Sequence, residues 1–287
     1  MLSDAISSEA YRLWRNKTVL FWAFLFVPFM AFGFDFLTEG FLKPAMMQGM
    51  PIPKPDFAKL FLGKLSGAGG FMTVAFVIVG ASIIFAADYR WETWRLMAPR
   101  NSRVNHILGK LAVLTGVSLI TLILVTLFSF FGNWAATLVN HATATTPPAP
   151  VEWGLYLIVV ACLLLTTLLQ VLVATGVVAL FAVITRSIVG SMLAGLAIYT
   201  FMIVALLTAQ QMVTGADPLH PDLWRLFLWP EYSAQLLMLH IGGKAMNGQQ
   251  MIEPNLALAA LAALLTWIVA AYGAAATLFQ RQDLSKE

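Results

Sequence analysis

The sequence predicts an all-α polytopic membrane protein with six transmembrane helices. Of the 287 residues, 60% are hydrophobic and 11% are charged, whereas a soluble domain carries about 25% charged residues. The apolar runs are long and do not alternate with polar residues, which favours helices of about 20 residues over the shorter strands of a barrel. Lipid is therefore the expected solvent, and each spanning helix must pair its own backbone polar groups.

Six apolar runs are long enough to cross a bilayer, and together they form one predicted transmembrane domain, 1–287. The predicted spans cover residues 18–37, 67–87, 107–134, 153–184, 188–212 and 256–279. Pro28 lies inside the first run, where it removes a helical hydrogen bond and predicts a kink. The first run lacks a small-residue cleavage site, so we expect it to be retained as a span.

Residues 1–17 predict an amphipathic helix at the membrane interface. Apolar positions recur with helical spacing and charged positions fall on other faces. The apolar set is Ile6, Ala10, Leu13 and Trp14, and the charged set is Glu9, Arg12 and Arg15.

Basic residues predict the orientation of the bundle. Lys and Arg concentrate in 12–17, in 90–110, at Arg186 and in 281–286, with a smaller set on the opposite side. Cytoplasmic loops carry an excess of Lys and Arg. We therefore expect both termini to be cytoplasmic, in a bacterial cytoplasmic (inner) membrane.

The long connection 213–255, between the fifth and sixth spans, contains an apolar stretch that is too short to span a bilayer. This stretch, 223–241, is interrupted by Pro230 and Glu231. Non-spanning helices at membrane depth need protein around them. The stretch therefore predicts helices that either dip into the outer leaflet or cap the external mouth of the bundle.

Several kinds of chemistry are missing from the sequence. No Gly-x-x-x-x-Gly-Lys-Ser/Thr loop occurs, so the chain is not expected to hydrolyse ATP by itself. No His-Glu-x-x-His or Gly-x-Ser-x-Gly pattern supports an enzyme or a metal site, and no cofactor is expected in this chain. The net charge of +3 does not form a nucleic-acid-binding face. Asp35 and Glu39 are expected to be solvated at the outer end of the first span.

The densest polar patch lies between the second and third spans, in the loop 88–106. Its first part can form a short amphipathic helix that Pro99 ends, with tryptophans on one side and charged residues on the other. The charged residues would then face an aqueous partner. The alternative is a basic loop whose aromatic residues anchor it at the lipid interface.

These features resemble the ABC type-2 permeases, a family of six-span exporter subunits. The resemblance covers essentially the whole chain, including the amphipathic start. The matching residues are Asp88 and Arg90 early in the loop, Thr93-Trp94, Pro99, Ser102-Arg103, Gly109-Lys110 and the ending Phe279-Gln280-Arg281-Gln282-Asp283-Leu284.

The resemblance implies a permease dimer, homomeric or paired with a similar chain, docked on two separate ABC ATPase subunits that bind ATP and Mg. The loop 88–106 would form the coupling helix that fits a groove in the ATPase. The substrate would be amphipathic and is not identified by the sequence. The implied coupling residues are Arg90, Glu92, Thr93, Trp94, Arg95 and Arg103, supported by Trp14 and Arg15 from the N-terminal helix.

Three other functions remain open at this point. An ion-coupled secondary transporter could use polar groups within the spans. An integral-membrane enzyme would need convergent catalytic groups, and the sequence offers no such set. A structural membrane scaffold needs no site at all.

Overall fold

A computed structural model of the chain describes residues 2–47, 55–90, 102–140, 152–212, 223–247 and 253–282. The regular elements within these ranges are all helical. Six of the helices are long and apolar enough to cross a membrane. The prediction of an all-α polytopic membrane protein with six transmembrane helices is therefore confirmed.

We number the helices in chain order. The spanning helices are α2 (Lys17–Met46), α4 (Phe71–Arg90), α5 (Arg103–Val139), α6 (Trp153–Thr185), α7 (Ile188–Met212) and α10 (Pro254–Arg281). The shorter helices are α1 (Leu2–Arg15), α3 (Phe57–Gly67), α8 (Leu223–Leu228) and α9 (Pro230–Asn247).

The first span is longer than predicted and contains two π-helical turns. It continues to Met46, whereas the prediction ended it at residue 37. The first π-helical turn, Phe21–Leu25, precedes Pro28. Proline cannot donate the usual helical hydrogen bond, and a π-helical turn is one way for a helix to absorb that loss. The second π-helical turn is Thr38–Leu42.

The second span begins at Phe71, four residues later than predicted, because residues 57–67 form a separate helix that the sequence reading missed. Asp56 caps this helix, α3, since its side chain accepts hydrogen bonds from the Ala58 and Lys59 amides. Leu62 and Leu65 of α3 are buried against the outer half of α6.

Residues 223–247, within the connection between the fifth and sixth spans, form the helix pair α8–α9, which we call the re-entrant hairpin because its turn enters the helical bundle. Trp267, near the middle of α10, donates a hydrogen bond to the Phe227 carbonyl of α8 at 2.7 Å. Gln170, halfway along α6, bonds to Glu231 in the first turn of α9 at 2.6 Å. The tip of the hairpin therefore lies at the depth of the midpoints of two spanning helices.

Helix α6 lies at the centre of the bundle. Residues 166–179 of this helix are buried without interruption. Helix α6 packs against α3, α4, α5, α7, α9 and α10. Its side chains therefore contact most of the other helices of the bundle.

Gly132 of α5 lies directly against the backbone of α2, and alanine is expected to destabilise the protein there. An added Cβ would lie 2.5 Å from the Phe32 carbonyl oxygen, and a backbone atom cannot move away as a side chain can. We expect Gly132→Ala to cost about 1–3 kcal/mol of unfolding free energy.

Gly116→Ala is the matched control on the same helix, because nothing lies within 4 Å of its added Cβ. This change should leave stability equal or raise it by up to about 1 kcal/mol, since alanine favours helices over glycine. Unfolding of both variants in mixed detergent micelles measures the difference. Equal stabilities for the two variants would show that α2 and α5 do not approach this closely.

Candidate functional site

One end of the bundle carries the described chain ends and both flanks of the loop 88–106, and we call it the terminal face. Arg12 of α1 forms an ion pair with Asp88 near the end of α4. Arg103, in the first turn of α5, bonds to the Gln282 carbonyl just after α10. Four helices are therefore joined by polar contacts at this face.

The first group of contacts is a buried charge network of Glu9, Arg12, Asp88 and Lys110. Arg12 lies 3.0 Å from Glu9 and 2.6 Å from Asp88. Lys110 lies 2.7 Å from Asp88 and 3.7 Å from Glu9. The Lys110 ammonium also donates to the Ile84 carbonyl at 2.5 Å. The network thus ties α1, α4 and α5 together through charged groups.

The network is neutral, with two carboxylates and two cations, and three of its four members are buried, while Arg12 is partly exposed. Glu9, Asp88 and Lys110 are 5%, 7% and 4% exposed. Burial alone would lower the pKa of Arg12, but the hydrogen bond and charge of Asp88, together with Glu9, raise it above its ordinary value. Removal of any one member would leave an uncompensated charge in this network.

Gly109 explains how α1 comes close enough to form this network. A Cβ at Gly109 would lie 3.1 Å from the Ala5 backbone carbon and from the Ala5 Cβ. The absence of a side chain lets α1 lie against α5, which places Glu9 next to Lys110. Gly109 and Lys110 are among the residues that carry the family resemblance in the sequence. In the structure Gly109 has a packing role and Lys110 has an electrostatic role.

The predicted amphipathic helix is confirmed as α1, but the prediction for Glu9 was wrong. The sequence reading placed Glu9 on a face away from the apolar residues, whereas the structure buries it with Ala5. Ala10 and Trp14 are exposed instead. The reason is that Lys110, from a different helix, compensates the Glu9 charge, so the buried face is partly ionic.

The second group of contacts, which we call the C-terminal clamp, consists of Tyr89, Arg103 and Gln282. Arg103 donates to the carbonyls of Phe279, Gln280 and Gln282 at 3.0, 3.1 and 2.7 Å. The Tyr89 hydroxyl donates to the Gln282 side-chain oxygen at 3.0 Å. The last carbonyls of a helix lack partners within it, so Arg103 satisfies the end of α10.

Gln282 extends the clamp to the central helix. Its side-chain amide donates to the Val183 carbonyl of α6 at 2.7 Å. The Tyr89 and Phe279 rings also meet edge to face, with centroids 6.2 Å apart. The clamp therefore fixes the end of α4, the start of α5 and the end of α10 against α6.

Both flanks of the loop are anchored by these two groups. Asp88 and Tyr89 hold the flank that leaves α4, and Arg103 and Lys110 hold the flank that enters α5. The described flanks of the loop are thus connected to α1 and to the end of α10 as well as to their own spanning helices.

The predicted coupling residues fall into three groups. Arg90 is exposed at the end of α4, and Trp14 and Arg15 are exposed on α1. Arg103 is described, and its guanidinium bonds within the chain to the end of α10. Four predicted residues lie outside the described ranges, namely Glu92, Thr93, Trp94 and Arg95. The coupling role of all of these residues stays a prediction.

The sequence reading did not identify the partners that hold these flanks. Glu9, Tyr89 and Gln282 were not singled out as site residues, and no local pattern pairs them with residues so far away in the chain. A weak signal existed for Lys110, because a lysine inside an apolar span needs a partner. Its partners could not be read from the sequence.

At the opposite end of the bundle, Asp35 is paired instead of solvated. Its carboxylate lies 2.5 Å from Lys64 of α3 and accepts a hydrogen bond from the Ser129 hydroxyl of α5. The expectation of a solvated Asp35 was wrong because α3, which supplies Lys64, was not foreseen. Glu39 forms a more exposed pair with Lys43, at 2.8 Å.

No family model, no curated protein and no solved structure matches the chain. Within the part of the chain that the structure describes, no group of three or more His, Cys, Asp or Glu could hold a metal ion. The fold and the site therefore define a six-span helical membrane protein whose charged loop has both flanks anchored at the terminal face.

Proposed function

We propose that this chain is the membrane-spanning permease subunit of an ATP-driven ABC exporter. The observation that carries the proposal is the anchoring of both loop flanks by the buried charge network and the C-terminal clamp. A surface loop without a mechanical role does not need buried charges where it joins the spanning helices. A loop that receives force does need rigid connections to the helices that it moves.

In this proposal the work is done by separate ATPase subunits that bind ATP and Mg. Closure of two ATPases displaces the loop 88–106, and the displacement reaches α4 and α5 through the two anchored flanks. Nucleotide binding then changes the balance between inward-facing and outward-facing arrangements of the spans. The complex contains two permease chains, and its substrate is an amphipathic molecule.

The loop residues supply the first test of the proposal. Arg95→Glu and Trp94→Ala should leave the chain inserted and folded but uncouple ATP hydrolysis from transport, because both changes alter the docking surface. The measurement is transport per ATP hydrolysed in proteoliposomes that contain the chain and the ATPase copurified with it.

Lys59→Glu is the matched control, since it reverses an exposed charge at the opposite end of the bundle. It should leave coupling unchanged. Wild-type coupling in both loop variants would contradict the assignment of the loop, and the absence of any ATPase in gently purified preparations would contradict the exporter proposal itself.

An ion-coupled secondary transporter is the second candidate, and one observation favours it. Asp35 and Lys64 form a partly buried ion pair between two helices at the end opposite to the terminal face. Charged groups within spanning bundles often belong to ion pathways. Substrate accumulation driven by an ion gradient, in liposomes that hold the chain alone, would select this candidate over the exporter.

A further inference from the structure

The tip of the re-entrant hairpin places a carboxyl group inside the bundle. Glu231, in the first turn of α9, is 3% exposed. The Gln170 side-chain amide of α6 donates to the Glu231 carboxyl at 2.6 Å. A buried carboxylate is normally matched by a cation, yet no ion pair to Glu231 occurs among the described residues.

We propose that Glu231 is a proton-binding site that controls the docking of the hairpin α8–α9 against α6. In its neutral form the side chain keeps the hairpin tip between the spanning helices. Loss of the proton places a charge in an apolar position, where one amide hydrogen bond does not replace the hydration of a carboxylate. The tip is then displaced toward water.

The surroundings of Gln170 show that this contact is built into the packing. An added Cβ at Gly69, in the turn between α3 and α4, would lie 2.6 Å from the Gln170 side-chain oxygen and 2.8 Å from the Thr167 methyl carbon. A side chain at this position would push the Gln170 amide away from its present place beside Glu231. Helix α6, the α3–α4 turn and the hairpin tip therefore meet at this one hydrogen bond.

The elements packed around α9 present few charges to Glu231. On α7, the titratable side chain is Tyr199, which is buried and whose hydroxyl donates to the Gly69 carbonyl at 3.4 Å. On α8, the titratable side chain is Arg225. The other titratable side chains of these elements are Tyr232, His240 and Lys244 on α9, Lys59 on α3, which is exposed, Lys64 on α3, which pairs with Asp35, Tyr156 and Cys162 on α6, and Arg281 and Tyr272 on α10, of which Tyr272 bonds to Thr175.

The direction of the pH dependence follows from burial. Burial raises the pKa of Glu231 to about 7, and the hydrogen bond from Gln170 opposes this rise only in part. In a solvated tip the pKa would return to about 4.3. Docking is therefore strongest in acid and weakens as the pH rises from about 4.3 to about 7, by up to nearly three orders of magnitude in the docking equilibrium.

Two measurements on the full chain in nanodiscs test the proposal. The first is an infrared titration of protonated carboxyl groups, which should show a component with a midpoint near pH 7 that disappears in Glu231→Gln. The second is the rate of amide hydrogen exchange of residues 223–247. This rate is divided by the exchange rate of α10 at the same pH, which removes the intrinsic acceleration of exchange by pH. Exchange in the wild type should increase at least tenfold between pH 5.5 and pH 8.5.

Glu231→Gln should remove the pH dependence of exchange, because glutamine has a similar shape and stays neutral. Glu39→Gln is the control, since it neutralises a more exposed carboxyl and should behave like the wild type. A carboxyl component that titrates near pH 4, or hairpin exchange that does not change with pH in the wild type, would overturn the proposal. If the Glu231→Gln chain fails to fold, the wild-type infrared titration still tests whether a carboxyl group of the protein titrates near pH 7. Neither measurement uses nucleotide or an ATPase, so the inference stands or fails separately from the exporter proposal.

Discussion

Replacement of Lys110 by methionine is expected to lower the free energy of unfolding by about 3–5 kcal/mol. Lys110 is 4% exposed and contacts both carboxylates of the buried charge network. Methionine fills much of the same volume but leaves Glu9 and Asp88 buried with Arg12 as their remaining cation. Reversible unfolding of the purified chain in mixed micelles measures the loss.

A second substitution separates charge from packing in this prediction. Asp88→Asn combined with Lys110→Met leaves Glu9 and Arg12 as a matched pair and should recover much of the lost stability. Lys43→Met, at a more exposed helical ion pair, should cost about 0.5 kcal/mol or less. A cost below 1 kcal/mol for Lys110→Met would show that the network does not stabilise the terminal face.

Replacement of Arg103 by glutamine is expected to reduce the coupling of ATP hydrolysis to transport by about an order of magnitude, in the range typical of site-to-site coupling. Arg103 joins the start of α5 to three carbonyls at the end of α10. Without this joint, movement of the loop no longer carries α10 with it. The measurement is the ratio of transport to ATP hydrolysis in the reconstituted complex.

Two further variants make the Arg103 prediction specific. Arg103→Lys keeps the charge but loses the planar fork that reaches several carbonyls, so its coupling should be intermediate. Arg281→Gln removes an exposed charge at the end of α10 and should leave the ratio unchanged. Full coupling in a folded Arg103→Gln chain would remove the C-terminal clamp from the proposed mechanism.

Span positions were predictable because length and hydropathy determine them. Helices α6 and α7 begin at the predicted residues 153 and 188. Helix α3 was missed because Lys59, Lys64 and two glycines dilute its apolar pattern. The re-entrant hairpin was foreseen as one of two alternatives, since an apolar stretch broken by Pro230 cannot span a bilayer alone.

The pairing of charged residues was not predictable from one sequence. Glu9 was expected on a face away from the apolar residues because the residue that neutralises it, Lys110, is far away in the chain. Gln170 and Glu231 likewise meet only after α6 and α9 have packed. A local pattern reports helical periodicity, whereas the burial of a charge depends on which distant helix supplies its partner.

Transport in liposomes tests the central claim most directly. The chain is reconstituted with the ATPase subunit that copurifies with it, and amphipathic candidate substrates are assayed with ATP, without ATP and with a catalytically inactive ATPase. The exporter proposal predicts movement of substrate only when ATP is hydrolysed. Equal movement by the chain alone, driven by an ion gradient and without ATP, would contradict it.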